Sequence, residues 1–482
     1  MKKSGIIGIV LVLLIAACGG GYFWVQNNAQ ELALKELSKA EKNITNLFKS
    51  KLNEDVKITY DFRDFQLLSQ TLNIENVSLK GTQAELKIDK LSLTGNEDEL
   101  SIKNLEKFQA IANGESEPVL KIDSMSIKKL NVKQLVDSKD FLDFSKNLNF
   151  QNFEINNALL RSNENVPPQE IAFMSIDSVN SGNIENILIK KLLFQDTKSD
   201  PKISIEQLSI DKISDLLQIY DDLLIGKKIS NLGNALDLGS FEVKGIQIED
   251  RNQSIDIGSF DIKLGRDEKL INSMEISLSG FELDKALLIN EGLIAPEILN
   301  SFKEDKLKLN TSMNVNADYS ISEMSSKISA GFEKLGTFTL ETKQGGFSKD
   351  IVNYMLNNSD KIGSSEYTNR VNKNATYKLL KSSFTNDGLT QIAMDLAKKN
   401  TGLTPDAMVN MVNQEIDKLG ELLTADIKEK TKKALTTFIK SGKGIEISIK
   451  SKNKEGISIT ELTSSMMDGS LANYLELDIK GE

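Results

Sequence analysis

The chain is 482 residues long, carries 59 Lys and Arg against 69 Asp and Glu for a net charge of −10, and contains no histidine and one cysteine. The missing imidazole excludes His-based triads, His-bound metals and imidazole general bases, and a single cysteine excludes intrachain disulfides, thiolate zinc sites and CxxC redox chemistry. An acidic balance without a Lys/Arg stripe interleaved with aromatics leaves no nucleic-acid surface, while 39% hydrophobic residues suffice for buried cores.

At the amino terminus Lys2 and Lys3 precede an uncharged run from Ser4 to Val25, long enough to span ~30 Å of hydrocarbon as a helix. Residues 1–27 are therefore expected to be a transmembrane anchor or signal segment. Charge before the run and none until Glu31 orients the start of the chain to the cytoplasm, with Tyr22, Phe23 and Trp24 at the far interface. A second reading fits the same residues. Leu14-Ile15-Ala16-Ala17-Cys18 followed by Gly19 matches a bacterial lipobox, in which case Cys18 would be lipidated and the residues before it removed. Either way the expected partner is a membrane, through a single-pass or a lipid anchor.

Over 28–55 the spacing of Ala33, Leu37, Ala40, Ile44 and Leu47 predicts an amphipathic stalk helix, with Asn53 as its stop. The period then becomes two: Val56, Ile58, Tyr60 and Phe62 alternate with polar residues, as in a strand with one buried face. Region 56–305 is repetitive. An eight-residue motif recurs at Leu72–Leu79, Leu86–Leu93, Leu120–Ile127, Leu148–Ile155, Ile203–Ile210, Leu236–Val243 and Ile255–Ile262, apolar at positions 1, 3, 6 and 8. Alternation slips by one between positions 3 and 6, which would flip the side chains to the other face unless a bulge resets them. Each copy is thus expected to be two short strand pieces around a bulge, with one apolar face preserved. Interspersed packing helices are expected at 135–144, at 213–224 and at 286–302.

Region 306–482 reads as α+β. Leu307, Leu309, Met313, Val315, Ala317, Tyr319 and Ile321 alternate along one strand, and Ile328-Ala330-Phe332 and Phe338-Leu340 continue a meander. Asn386-Asp387-Gly388 is a turn signal. Helices follow at 389–399 and 405–440, the second with Thr404 as cap and Pro405 at its first position, and then a closing hairpin of Ile445–Ile449 and Ile457–Ile459.

The expected fold class is α+β and β-rich: an elongated, curved antiparallel sheet of short bulged strands with packing helices, preceded by a membrane helix. Asp221-Asp222 and Asp137/Asp140/Asp143 do not match a calcium loop, and no Walker loop, nucleophile elbow or catalytic carboxylate pair occurs. No catalytic residue, metal or cofactor is expected, and the chain is not read as an enzyme.

The basic start, the apolar span, Leu72-Asn-Ile-Glu-Asn-Val-Ser-Leu-Lys-Gly81 and the repeated Leu-x-Ile-Asp-x-Leu-x-Leu units resemble the AsmA-like envelope proteins and the related YdgA-like group of Gram-negative bacteria. Asn316–Ile321, Leu335–Leu340 and the Asn386–Leu389 turn are similar to the YdgA-like proteins. The resemblance implies an inner-membrane anchored, periplasmic, β-rich protein connected with outer-membrane assembly or phospholipid movement. Two functions fit these features. In one, the apolar sheet face forms a groove for phospholipid acyl chains, with Leu72, Ile74, Leu86, Ile88, Leu91, Leu93, Ile122, Met125, Phe241 and Phe260 as candidate lining. In the other, the sheet covers itself and the protein is a scaffold for envelope protein partners.

Overall fold

The structure is a computed structural model that describes most of residues 55–131, 146–214 and 239–482, with short breaks, together with Ser38, Glu41, Lys42 and Thr45. These four are helical and fall in the expected stalk. The segment 1–27 with Cys18, the helix expected at 135–144 and nearly all of that at 213–224 lie outside the described residues. Among the described residues no helix is long and apolar enough to cross a membrane. The protein is β-rich with open antiparallel sheet and some helices. It divides into two compact units, the first of Met1–Ile229 and Ala235–Ser254, the second of Ser230–Asn234 and Ile255–Glu482.

In the first unit ten strands run up and down, each hydrogen-bonded to the next: β1 (Lys57–Gln66), β2 (Thr71–Lys80), β3 (Ala84–Gly95), β4 (Glu99–Ala112), β5 (Leu120–Asn131), β6 (Phe150–Leu160), β7 (Gln169–Asn180), β8 (Asn183–Phe194), β9 (Lys202–Ile213) and β10 (Ser240–Asp250). Ile213, expected to open a helix, closes β9 instead.

The phase slip is real, but the motif is not broken into two pieces. In β3, Leu86, Ile88, Leu91 and Leu93 are buried while Lys87, Asp89 and Lys90 are exposed, all within one continuous strand. What resets the face is a row of residues in the left-handed region, one on each even-numbered strand: Asn76 (φ 51°), Lys107 (51°), Asn157 (51°), Lys191 (52°) and Gly245 (60°). Register places these beside position 4 of the motif on the odd strands. Asn76 and Lys107 flank Asp89, Lys107 and Asn157 flank Asp123, and Lys191 and Gly245 flank Glu206. A left-handed residue interrupts the two-residue alternation, so the even strand slips in step with its neighbour and their apolar faces stay together.

That conformation costs an L-residue ~1–2 kcal/mol, least for Gly and Asn. Side-chain pairing offsets part of the cost. Asn76 donates to Asp61 (2.8 Å), Asn157 to Asp123 (3.1 Å), and the Lys107 ammonium meets Asp89 at 3.1 Å. A second such row holds Asn152 (46°) and Asn186 (51°) on either side of Asp177, with Asn186 donating to it at 2.8 Å.

The second unit continues as a meander of β11 (Gln253–Asp267), β12 (Leu270–Asp284), β13 (Lys306–Asp318), β14 (Glu323–Phe332), β15 (Gly336–Gly345), β16 (Thr376–Asn386), β17 (Gly444–Ser451) and β19 (Leu475–Gly481), with the two-residue β18 (Ile457–Ser458) beside β16. Its helices are α1 (Lys285–Asn290), α2 (Pro296–Leu299), α3 (Lys349–Asn357), α4 (Ser365–Asn374), α5 (Leu389–Thr401), α6 (Pro405–Lys418), α7 (Ala425–Ser441), α8 (Ile459–Asp468) and α9 (Leu471–Tyr474). Thr404 caps α6 as expected, accepting from the Ala407 amide at 3.3 Å. Where one helix was expected over 405–440, α6 and α7 are described separately.

The closing hairpin is not formed. Ile457 and Ser458 pair with Tyr377 and Thr376 of β16, and the outer partner of β17 is β19. The physical reason is a capping box: the Ser458 hydroxyl accepts from the Glu461 amide at 3.2 Å, and the Glu461 carboxylate accepts from the Ser458 amide at 2.9 Å. The chain therefore turns into α8 at Ile459 rather than continuing as a strand.

The main core lies on β1–β6, where Phe108, Leu100 and Ile102 are fully buried with Leu93 and Leu130. A smaller core joins Leu288, Leu299, Leu307 and Leu335 in the second unit. Ile88→Asp, which would put an unpaired charge into the main core, is expected to cost several kcal/mol, roughly 3–5, whereas Lys87→Asp on the exposed face should cost less than about 1. Urea denaturation measures both, and equal losses would overturn the face assignment. Asn186→Ala should destabilise by about 1–2 kcal/mol and Asn186→Gly by less, since glycine adopts positive φ freely; the reverse order would remove the left-handed row as the cause.

Candidate functional site

Because strand side chains alternate, each sheet has two chemically different faces. In the first unit the apolar face runs through three register rows across β6–β10. They are Phe153–Ile176–Ile187–Ile210–Phe241, Ile155–Met174–Ile189–Leu208–Val243 and Ala158–Ile171–Leu192–Ile205–Ile246. Apart from Ala158 and Val243, these side chains are half-buried. Over β2–β5 the same face is sealed. Of the ten candidate lining residues, Leu72, Ile74, Leu86, Ile88, Leu91, Leu93, Ile122 and Met125 are all within the buried core, while Phe241 on β10 and Phe260 on β11 are half-buried.

The opposite faces carry charge of alternating sign. In the first unit Glu75, Lys90 and Glu106 occupy one row, with Arg63 paired to Glu75 and Lys90 to Glu106 at 3.4 Å. A longer row crosses the second unit: Lys263, Glu275, Asn314, Lys327, Glu341 and Lys381 are successive register partners from β11 to β16, Lys381 lies diagonal to Glu446 on β17, and Glu446 is the register partner of Lys480 on β19. Lys327 meets Glu341 at 3.2 Å and Lys381 meets Glu446 at 2.7 Å. The hydrogen bond that the Lys381 ammonium donates to Glu446 holds its pKa above the ordinary value, against a smaller desolvation effect, and that from Lys480 holds the Asp478 carboxyl below its own. Opposite charges facing each other across strands fix register and solvate this side of the sheet.

Two cavities are notable. One, of about 410 Å³, sits in the second unit between α2, α5 and β13–β16 and is apolar throughout: Ile298, Leu309, Ala330, Gly331, Phe332, Leu335, Gly336, Phe338, Phe384 and Leu389. The other, of about 220 Å³, lies on the charged face of β1–β3, around Arg63, Asp64, Asn73, Glu75, Lys90 and Ser92. Its polar groups already satisfy one another, Ser92 donating to Asn73 at 2.7 Å and Asn73 to Asp64 at 2.5 Å. Among the described residues no group of three or more Asp, Glu, His or Cys converges as a metal site. The acidic residues at 137–143 and 221–222 lie outside the described set. Sequence reasoning missed the 410 Å³ cleft, whose walls come from positions spread over 298–389 with no shared motif.

A family model described only as an uncharacterized protein matches residues 329–482, from within β14 to β19. No match is found among curated proteins.

The charge row supports a test. Lys381→Glu would bring three carboxylates side by side with Glu341 and Glu446, and should destabilise the protein by about 1–2 kcal/mol at low ionic strength. The loss should shrink as salt is raised from 10 mM toward 1 M, where screening shortens to ~3 Å. A loss indifferent to salt would mean that packing, not charge alternation, holds that row.

Proposed function

We propose that this chain is a non-enzymatic, membrane-anchored envelope protein that binds lipid acyl chains along the apolar face of its first unit. The observation that carries the reading is the contrast within one face: sealed over β2–β5, partly exposed along three apolar rows over β6–β10, whose β6 edge packs against the core through Phe153 and Ile155. An acyl chain binds such a surface through non-directional burial at roughly 0.8 kcal/mol per CH₂, with no catalytic group. A chain without histidine and with one cysteine fits that economy of chemistry. The apolar run at Ser4–Val25, or lipidation at Cys18, would hold the protein at the bilayer from which lipid is taken, and the resemblance to AsmA-like and YdgA-like proteins supports a periplasmic role in outer-membrane biogenesis.

A scaffold reading has one observation in its favour. Eight of the ten candidate lining residues are in the sealed core and have no surface to offer a lipid. On the scaffold reading the half-exposed rows would meet an envelope protein instead.

Photo-crosslinkers separate the two. Placed at Ile187, Ile205 and Phe241 in cells, they should capture phospholipid, and at Glu185 and Lys190 on the charged side they should not. Capture of protein alone at the apolar positions would replace the lipid reading with the scaffold.

A further inference from the structure

We infer that the apolar cleft between α2, α5 and β13–β16 is a second hydrocarbon site, which takes the end of one acyl chain. For its ligand class the inference rests on the lipid reading above; its location is independent of it.

The lining of the cleft contains no side-chain hydrogen-bond donor or acceptor. A polar ligand would give up its bonds to water there without replacement, at a cost of ~1–3 kcal/mol per group. A volume of about 410 Å³ is at the small end of ligand pockets, which run from roughly 300 to 1,000 Å³. Two glycines at the β14–β15 turn allow the close approach of the backbone that forms one wall. A Cβ on Gly331 would stand 2.5 Å from the Gly336 carbonyl oxygen, and one on Gly336 would stand 2.7 Å from the Phe384 ring. Gly336 holds φ at +143°, a value that favours glycine.

The cleft does not end at its own walls. Phe338, half in and 49% exposed, lies beside Ala330 on one side and Phe384 on the other. From it an apolar stripe leads along the same face through Ile328 and Leu340, which are register partners, to Leu380 and Ile447, both about 40% exposed. Hydroxyls border the stripe, with Ser326 and Thr342 hydrogen-bonded to each other at 2.8 Å and Ser382 between Leu340 and Ile447. A hydroxyl-bordered apolar track running into an open apolar cleft suits one flexible chain. A protein partner would need a broad surface of about 800 Å². The chain end would occupy the cleft and the rest would lie on the stripe, leaving a polar head in water.

The test uses the fluorescent fatty acid cis-parinaric acid with the full-length protein and palmitate as competitor. Saturable binding displaced by palmitate is expected. Ala330→Trp, which fills the cleft, should weaken binding at least about tenfold; Leu389→Trp fills it from the α5 side and serves if the first variant is unfolded by thermal melt. Lys87→Asp, on the charged face of the first unit, should leave this binding unchanged, whereas Ile205→Ser should remove only the component of binding carried by the first unit and leave the cleft component. Wild-type affinity in either folded cleft variant, or no saturable binding at all, overturns the cleft site. Binding lost in Ile205→Ser but kept in the cleft variants overturns it too, while leaving lipid on the first unit intact.

Discussion

Everything in the first unit depends on two neighbouring strands slipping phase at the same place. A strand with one apolar side has no tolerance for a one-residue shift. The motif contains such a shift in every copy, and a lone strand carrying it would turn half its apolar residues to water. The even strands prevent this by placing a left-handed residue beside motif position 4: Asn76, Lys107, Asn157, Lys191 and Gly245. Each costs backbone energy, and the Asn–Asp and Lys–Asp pairs across the row return part of it. The device recurs in the second unit, where Gly280 bulges beside Asn310, donating its amide to the Asn310 side chain at 2.8 Å, with a φ of 63° that favours glycine. Repeating the pair on successive strands keeps the apolar rows continuous across β6–β10, and a continuous face is what a groove requires.

The two faces then divide the work of specificity. The apolar side gives burial but no register, since Ile beside Leu and Ile beside Ile bury similar area. Register comes from the other side, where Lys327, Glu341, Lys381, Glu446 and Lys480 alternate across β14–β19 and a slip by one strand residue would break the pairs. A sheet held in this way can leave apolar side chains uncovered in places without losing its alignment. That is the condition under which exposed Ile328, Leu380 and Ile447 are compatible with an ordered sheet.

Much of the fold was legible because period-two patterning is a direct consequence of strand geometry. Positions 1, 3, 6 and 8 of Leu72–Leu79 and Leu86–Leu93 are buried as the pattern demands, and the β13–β15 meander follows Leu307–Leu340. The slip is expected at the middle pair of the motif, positions 4 and 5, and Asn76 and Asn152 hold the left-handed conformation there in Leu72–Leu79 and Leu148–Ile155; for Leu86–Leu93, Leu120–Ile127 and Ile203–Ile210 the left-handed residue stands on the neighbouring strands, where Asn157 facing an Asp carries the signal. Helices α3 and α4 are announced in the sequence only by their caps, Ser348 and Ser364, which accept from the Ile351 and Tyr367 amides in the ordinary way. The missed turn into α8 was written in Ser458 and Glu461, three residues apart, and lost to the stronger β-propensity of Ile457 and Ile459.

What the pattern could not give is cover. Leu86–Leu93 and Ile203–Ile210 have the same apolar spacing, but the first is sealed and the second half-exposed. Burial of a face is decided by what packs on it, through contacts distant in sequence, and no local period encodes them. The same holds for the cleft: α2 and α5 bring Ile298 and Leu389 over strands whose own alternation only says that Ala330, Phe338 and Phe384 share a side. On the proposed reading, a lipid-binding surface on this sheet would be the part of the apolar face that stays exposed. Residues chosen from the motif alone fall mostly in the core. On the proposed reading the site would be located by exposure rather than by residue type, and the partly exposed rows of β6–β10 and the mouth of the cleft at Phe338 are places where exposure and apolar character coincide.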